Sequence, residues 1–341
     1  MPQKILVIRF SSIGDIVLTT PVLRCLKQQT GAEIHFLTKQ SFAGIVQSNP
    51  YVDKVIAIEK DIKEVARTLV QSKYDGIVDL HGNLRTLEVK GRLLGASLLT
   101  RHRRPRIRTF NKLNFRKFLL TKFQLDRMPE VHIVQRYLAA AADFGATDDG
   151  KGLDYFIPPE AEVDLAKNKL PTNYLAFVIG AAHATKRLTE EQMRRFCQQY
   201  KQPIVLLGGP AEKEIGKRLA ADLPHVHNAC GGFNLNGSAS LVRQAQLVLT
   251  HDTGLMHIAA AFARPIISVW GNTVPALGMY PYLPGQQELE RQRRREVLDL
   301  PCRPCSKIGY AECPKGHFNC IRRQSATDLV EACRRVLNGL R

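Results

Sequence analysis

Four consecutive residues, His251-Asp252-Thr253-Gly254, carry chemistry that the rest of the chain can be organised around. Residues 247–249 before them are apolar, residues 255–262 after them have helical composition, and Pro265 precedes the β-rich run 266–270. The pattern reads as strand, polar turn, helix, strand. In such a unit the turn lies at the carboxyl end of a strand and the amino end of a helix, where free N–H groups and the helix dipole favour an anion. Asp252 suits sugar hydroxyls, Thr253 and Gly254 suit a phosphate, and His257, one turn into the helix, looks back at the same spot. A plain N-cap role for Asp252 or Thr253 explains the turn equally well.

Two further loops resemble this one in position. Residues 180–186, GAAHATK, follow an apolar run and offer small residues, the Thr185 hydroxyl as donor and Lys186 as a point charge for a diphosphate. Residues 208–212, GGPAE, follow the next run, with Glu212 placed to accept from ribose hydroxyls. Three such loops in one half of the chain point to a nucleotide site. In the other half, the first turn, FSSIGD, is glycine-poor and lacks the dinucleotide fingerprint. It sets Asp15 at a helix start, either as a general base that takes a proton from an acceptor hydroxyl or as a first-turn acid that complements the dipole. Asp79, His81, Asn83 and Arg85, in DLHGNLRT, end a strand on the same side and are acceptor candidates, with Arg85 the preferred anion contact.

The elements that must position these residues alternate. Strands are predicted at 4–9, 33–38, 55–58 and 76–80, and helices at 16–29, 62–72, 84–94 and 131–144. Residues 145–173 have linker composition. The rhythm restarts with strands at 174–179 and 204–207 and helices at 190–199, 212–222, 238–245 and 326–337. Strands and helices at this spacing give doubly wound parallel sheets. The expectation is an α/β protein of two Rossmann-like domains facing a cleft, residues 1–165 and 166–341, with a last helix able to pack back on the first domain.

The charge balance is uneven. Of 341 residues 49 are basic and 31 acidic, a net charge of +18. Residues 90–122 hold 11 Lys and Arg and no Asp or Glu. Arg101, Arg103, Arg104, Arg106, Arg108, Lys112, Arg116, Lys117 and Lys122 alternate there with Phe110, Phe115, Phe118 and Phe123. Such a surface suits an anionic partner, a charged glycan or phospholipid headgroups; a solvated loop is the plainer alternative. No RNP, helix-turn-helix or finger pattern accompanies the charge, so nucleic acid is not the expected partner. No apolar run approaches the ~20 residues of a membrane span, and the N-terminus lacks a signal pattern. A cytoplasmic protein, peripheral on the inner membrane, is expected. Cys302, Cys305, Cys313 and Cys320 form C-x2-C-x7-C-x6-C, with His317 between the last two. That spacing allows a structural zinc, or free thiols, or a redox pair.

The segments KILVIRFSSIGDIVLTTPVL, HATKRLTEEQMRRF, LLGGPAE and HDTGLMHIAAAFARPIISVWGNT resemble glycosyltransferase family 9, the ADP-heptose:lipopolysaccharide heptosyltransferases. The resemblance implies a GT-B fold and inverting, metal-independent transfer from a nucleotide sugar, ADP-linked by preference, to an anionic glycolipid. On it, Asp15 matches the catalytic base, with Ser12 and Gly14 beside it assigned to the acceptor together with His81, Asn83, Arg85, Arg101, Arg103, Arg104 and Arg106. Lys186 matches the lysine on the donor's phosphate side, Thr185 joins it, Glu212 matches the acid on the nucleoside, and Asp252, Thr253, Gly254 and His257 match the donor motif. Lys186 is followed by Arg187-Leu188-Thr189 where the family commonly carries a Trp-Pro pair. A sugar-nucleotide epimerase of the same fold would need no glycan acceptor and no basic stretch. A non-catalytic nucleotide- or nucleic-acid-binding protein would not need Asp15.

Overall fold

The computed structural model describes residues 3–99 and 103–339. It has two compact units, Met1–Lys112 with Val131–Phe156, and Leu113–Glu130 with Ile157–Arg341.

In the first unit β1 (Lys4–Ile8), β2 (Glu33–Lys39), β3 (Lys54–Ile58), β4 (Gly76–Asp79) and β5 (Arg106–Thr109) form a parallel sheet in the order β3-β2-β1-β4-β5. β1 is central, and its run Ile5 to Ile8 is wholly buried because a parallel sheet is covered on both faces. The helices are α1 (Ile13–Val17), α2 (Thr20–Thr30), α3 (Gln40–Ala43), α4 (Ala66–Gln71) and α5 (Leu84–Leu99). The chain then forms α6 (Asn114–Phe123), grouped with the second unit, and returns to the first for α7 (Ile133–Ala141).

Three local outcomes differ from the sequence reading. The helix expected at 16–29 is two helices, α1 and α2, because Pro21 starts a new first turn and the Thr19 and Thr20 hydroxyls bond back to Ile16 O and Val17 O. The basic stretch is no plain loop: it contains β5 and α6. β5 tolerates its arginines because it is an edge strand with only Ile107 half-buried. Finally, the first part of the linker-like segment is anchored: Arg24 of α2, nearly buried, binds Asp149 and Asp154.

In the second unit β6 (Leu175–Val178), β7 (Ile204–Leu207), β8 (Val226–Asn228), β9 (Leu247–His251), β10 (Ile266–Trp270) and β11 (Arg294–Glu296) are parallel, in the order β11-β10-β9-β6-β7-β8. The three-residue edge strands β8 and β11 are too short to show a pattern in the sequence. The helices are α8 (Glu190–Gln199), α9 (Lys213–Ala220), α10 (Leu235–Gln244), α11 (Gly254–Ala261), α12 (Gln287–Gln292), α13 (Asn319–Arg322) and α14 (Ala326–Asn338). α10 starts earlier than its apolar periodicity suggests because Asn234 caps it, accepting from Gly237 N at 2.9 Å. α14 packs on α8, and Phe177, Phe196, Leu249, Leu329 and Val330 share the core.

In each sheet the strand order reverses beside the first strand, between β1 and β4 and between β6 and β9. The carboxyl ends of strands at such a switch point are where doubly wound sheets bind ligands.

Candidate active site residues in the two domains

At the first switch point the centre is an ion pair. Arg9, the residue after β1, sets Nη2 at 2.6 Å from Asp15 Oδ1; the side chains are only 10% and 17% exposed. Arg9 is fixed by its other nitrogens, which donate to Ser11 O and Leu80 O. The second carboxylate oxygen of Asp15 accepts from the Ser12 hydroxyl at 2.8 Å and from Ser12 N at 3.2 Å. Burial by itself would raise the Asp15 pKa, but the Arg9 charge and the Ser12 hydrogen bonds outweigh it and hold the carboxyl below its usual range. Asp15 is therefore ionised and held in one orientation. Gly14 is buried in the same turn.

His81 stands against this pair. Its ring meets Phe10 edge-on at 5.5 Å, and its Nδ1 is buried without a hydrogen-bond partner. Burial, then the neighbouring Arg9 charge, lowers its pKa to about 4, so the imidazole is neutral at pH 7. Arg85 lies over the Phe10 ring at 5.5 Å and reaches Lys60 O. An open pocket of about 530 Å³ is lined by Lys60, Asp61, Asn83, Leu84, Arg85 and Glu88.

Other acceptor candidates have local duties. Asn83 caps α5, its Oδ1 accepting from Thr86 N at 3.0 Å. Asp79 is fully buried, paired with Lys90 at 2.7 Å, and accepts from the N–H groups of His81 and Gly82, which shapes the loop. Arg106 is at the amino end of β5, opposite Gly76 rather than Asp79, and donates to Asp143 O. The structure does not bring Arg106 together with Asp15. Arg103 and Arg104 are exposed in the preceding loop; Arg101 lies outside the described residues.

At the second switch point Lys186 Nζ is 2.6 Å from Asp252 Oδ2, and each side chain is 14% exposed. The Thr273 hydroxyl donates to the same oxygen at 2.9 Å. Asp252 is thus not the helix cap. Thr253 holds the N-cap position of α11, yet its hydroxyl makes no capping bond and lies 3.3 Å from Thr250 Oγ1. Gly254 is the first helical residue, and His257 is buried one turn on. Glu212 accepts from Gly209 N at 2.9 Å and pairs with Arg187 at 3.5 Å. Its side chain lies over Gly180 and Gly208; a Cβ at Gly208 would come within 2.7 Å of it.

Thr185 is a correction. Its hydroxyl is a partner of Tyr310 on both sides, accepting from Tyr310 N at 2.8 Å and donating to Tyr310 O at 3.0 Å, and the residue is 1% exposed. It fastens the cysteine-rich loop rather than offering a donor to a diphosphate. Cys302, Cys305, Cys313 and Cys320 form no disulfide, and Cys302 Sγ lies 3.6 Å from His317 Nε2. Among the described residues, no group of three or more His, Cys, Asp or Glu side chains is set to hold a metal ion.

Sequence reasoning missed Arg9, Tyr137, Thr273 and Arg187. Arg9 did carry a signal, a lone arginine closing a buried apolar strand. Tyr137, fully buried on α7 with an unpartnered hydroxyl, sits under Arg9 with its ring 5.9 Å from the guanidinium.

Two doubly wound parallel-sheet domains with polar loops at both switch points are the architecture of GT-B glycosyltransferases. Residues 62–296 match the model for glycosyltransferase family 9 (heptosyltransferase), and the chain belongs to that family. It is similar to lipopolysaccharide heptosyltransferase 1 of Pseudomonas aeruginosa, 27% identical over 335 residues, covering 89% of this chain and 86% of that one. The Escherichia coli enzyme of that name is 27% identical over 306 residues, covering 81% and 90%. The fold matches a family 9 glycosyltransferase from Veillonella parvula (TM-score 0.77, 20% identity, 99% and 98% coverage) and E. coli ADP-heptose lipopolysaccharide heptosyltransferase II (TM-score 0.70, 20% identity, 98% and 99%). Among the described residues no helix is long and apolar enough to cross a membrane.

Proposed function

We propose that this glycosyltransferase moves a heptose from ADP-heptose onto a lipopolysaccharide core or a related anionic glycolipid, with inversion at the anomeric carbon and without a catalytic metal. The observation that carries the reading is the Arg9–Asp15 pair, which keeps a carboxylate ionised and aimed at a strand end. In the reaction the acceptor hydroxyl oxygen attacks the anomeric carbon, its proton passes to Asp15, and the carbon–oxygen bond to the diphosphate breaks. The nucleoside diphosphate leaves with the bonding electrons. Lys186 and the N–H groups at the start of α11 stabilise that charge, Asp252, itself bonded by the Thr273 hydroxyl, holds Lys186 in place, and Glu212 accepts from the ribose. His81 and Arg85 contact the acceptor. The relatives named for lipopolysaccharide heptosyl transfer support the choice of sugar and acceptor. A zinc ion held by the four cysteines would staple their loop and take no part in transfer; one zinc per purified chain is the result that role requires.

The test is transfer from ADP-heptose to a deacylated core acceptor by wild type and Asp15→Asn, with and without EDTA. The reading requires inverted product, activity that survives EDTA, and a loss of about 10²–10⁴-fold in the variant with ADP binding kept. Full activity of Asp15→Asn, or retained stereochemistry, overturns it.

A further inference from the structure

We propose that α6 is a membrane-docking helix whose outward face seats in the headgroup region of a bilayer containing anionic phospholipid. A helix on a water-soluble surface ordinarily turns its apolar side inward. α6 does the reverse. Only Leu120 is buried in it, whereas Phe115, Phe118 and Phe123 are 72%, 48% and 58% exposed. At 3.6 residues per turn Phe115, Phe118, Leu119, Lys122 and Phe123 share one broad arc, with Arg116 at its edge and Leu120 on the other side. The Phe118 and Phe123 rings meet edge-on at 5.7 Å, and Leu125, just past the helix, is 52% exposed, so the apolar residues form a patch rather than isolated points.

The charge identifies the occupant. α6 lies in the stretch with 11 basic residues and no acid. Among the described residues, Arg116 and Lys122 of α6 take part in none of the ion pairs of that stretch, such as Lys90–Asp79, Arg92–Glu88 and Arg108–Asp143. Aromatic side chains flanked by cations such as Arg116 and Lys122 are the composition of a helix that lies in a membrane interface, its rings among the upper acyl carbons and its cations among phosphates. A second copy of this chain fits less well, because face-to-face docking sets Arg116 and Lys122 against their own counterparts. Nucleic acid would use the cations and leave an apolar arc in water. The inference deepens the glycolipid-acceptor reading, but its test needs neither donor nor acceptor, so the two fail separately.

The experiment is co-sedimentation of the full chain with phosphatidylcholine vesicles, with and without phosphatidylglycerol. Wild type is compared with Phe115→Ser/Phe118→Ser/Phe123→Ser and with Arg116→Gln/Lys122→Gln. Wild type binds the phosphatidylglycerol vesicles, and added salt weakens binding. The charge variant binds roughly 30-fold more weakly, at about fivefold per cation, and the aromatic variant roughly tenfold or more. Because the altered residues are exposed, both variants keep the wild-type Tm and ADP binding, which shows that they fold. Absence of binding to phosphatidylglycerol vesicles, or variants that bind as wild type does, overturns the proposal. So does a wild-type dimer lost in the aromatic variant, or single-stranded RNA binding lost in the charge variant, where vesicles are ignored.

Discussion

Asp15 Oδ1 and Arg9 Nη2 are 2.6 Å apart, and Arg9 is also tied to two backbone carbonyls. The tether fixes the carboxylate and sets its charge. With the carboxyl pKa held below the usual ~4, Asp15 is available as a base throughout the neutral range. The acid limb of kcat/KM therefore lies on the acid side of the usual carboxylate range. In Arg9→Gln the attraction is lost while burial, which raises the pKa, remains, so the limb moves to higher pH. A pH profile of both proteins checks this; an unmoved limb would mean that Asp15 is not the titrating base. The same depressed pKa supplies stability that is present above the unfolded carboxyl pKa and lost as pH falls through the folded one.

At the other switch point Lys186→Ala removes the cation proposed for the leaving diphosphate and leaves Asp252 without its ion-pair partner. Transfer falls by about 10²–10³-fold and the thermal shift with ADP shrinks. Asp252→Asn keeps Lys186 and its shape and retains part of both. Equal donor affinity in Lys186→Ala and wild type would remove Lys186 from the diphosphate.

Much of this was legible in the sequence because parallel strands, charged strand-end loops and the 252–257 run leave local traces. The buried run 5–8 and the polar residues that follow it announce strand and turn together. What was not legible depends on partners distant in the chain. Thr185 reads as a phosphate donor until Tyr310, 125 residues away, occupies its hydroxyl. Arg106 reads as part of a basic surface until the ladder with β4 sets it at the amino end of the strand. α6 has a helical apolar pattern, but the pattern alone cannot say that its phenylalanines point outward, because that depends on what lies beneath Leu120.

Thr185→Val tests the role in which the structure places that residue. The substitution preserves volume and leaves Tyr310 N–H without its partner, while Tyr310 C=O keeps the backbone N–H of residue 185, and the orphaned donor costs about 1–3 kcal/mol of stability. Tm falls accordingly, Thr185→Ser recovers most of it, and KM for the donor changes little. A large rise in donor KM at unchanged Tm would return Thr185 to the phosphate.

Acid sensitivity follows from His251. It is fully buried at the end of β9, accepts from Leu188 N at 3.0 Å, and has its pKa lowered from 6.5 to about 4 by burial. The sign follows from proton counting. In the unfolded chain this histidine takes up a proton near pH 6.5, whereas in the folded chain it does so only near 4, so the unfolded state binds more protons between those values. Stability therefore falls as pH drops through that window, by up to about 3 kcal/mol for this residue alone. His251→Gln still offers an acceptor to Leu188 but cannot titrate, so its unfolding free energy is flatter between pH 6.5 and 4. Urea unfolding at a series of pH values measures the difference. Because Leu188 follows the Lys186–Arg187 pair directly, protonation of His251 also breaks the hydrogen bond that holds this loop at the end of β9. The ADP thermal shift should then hold from pH 6.5 downward and decline only as the pH approaches 4 in wild type, and stay flat in the glutamine variant.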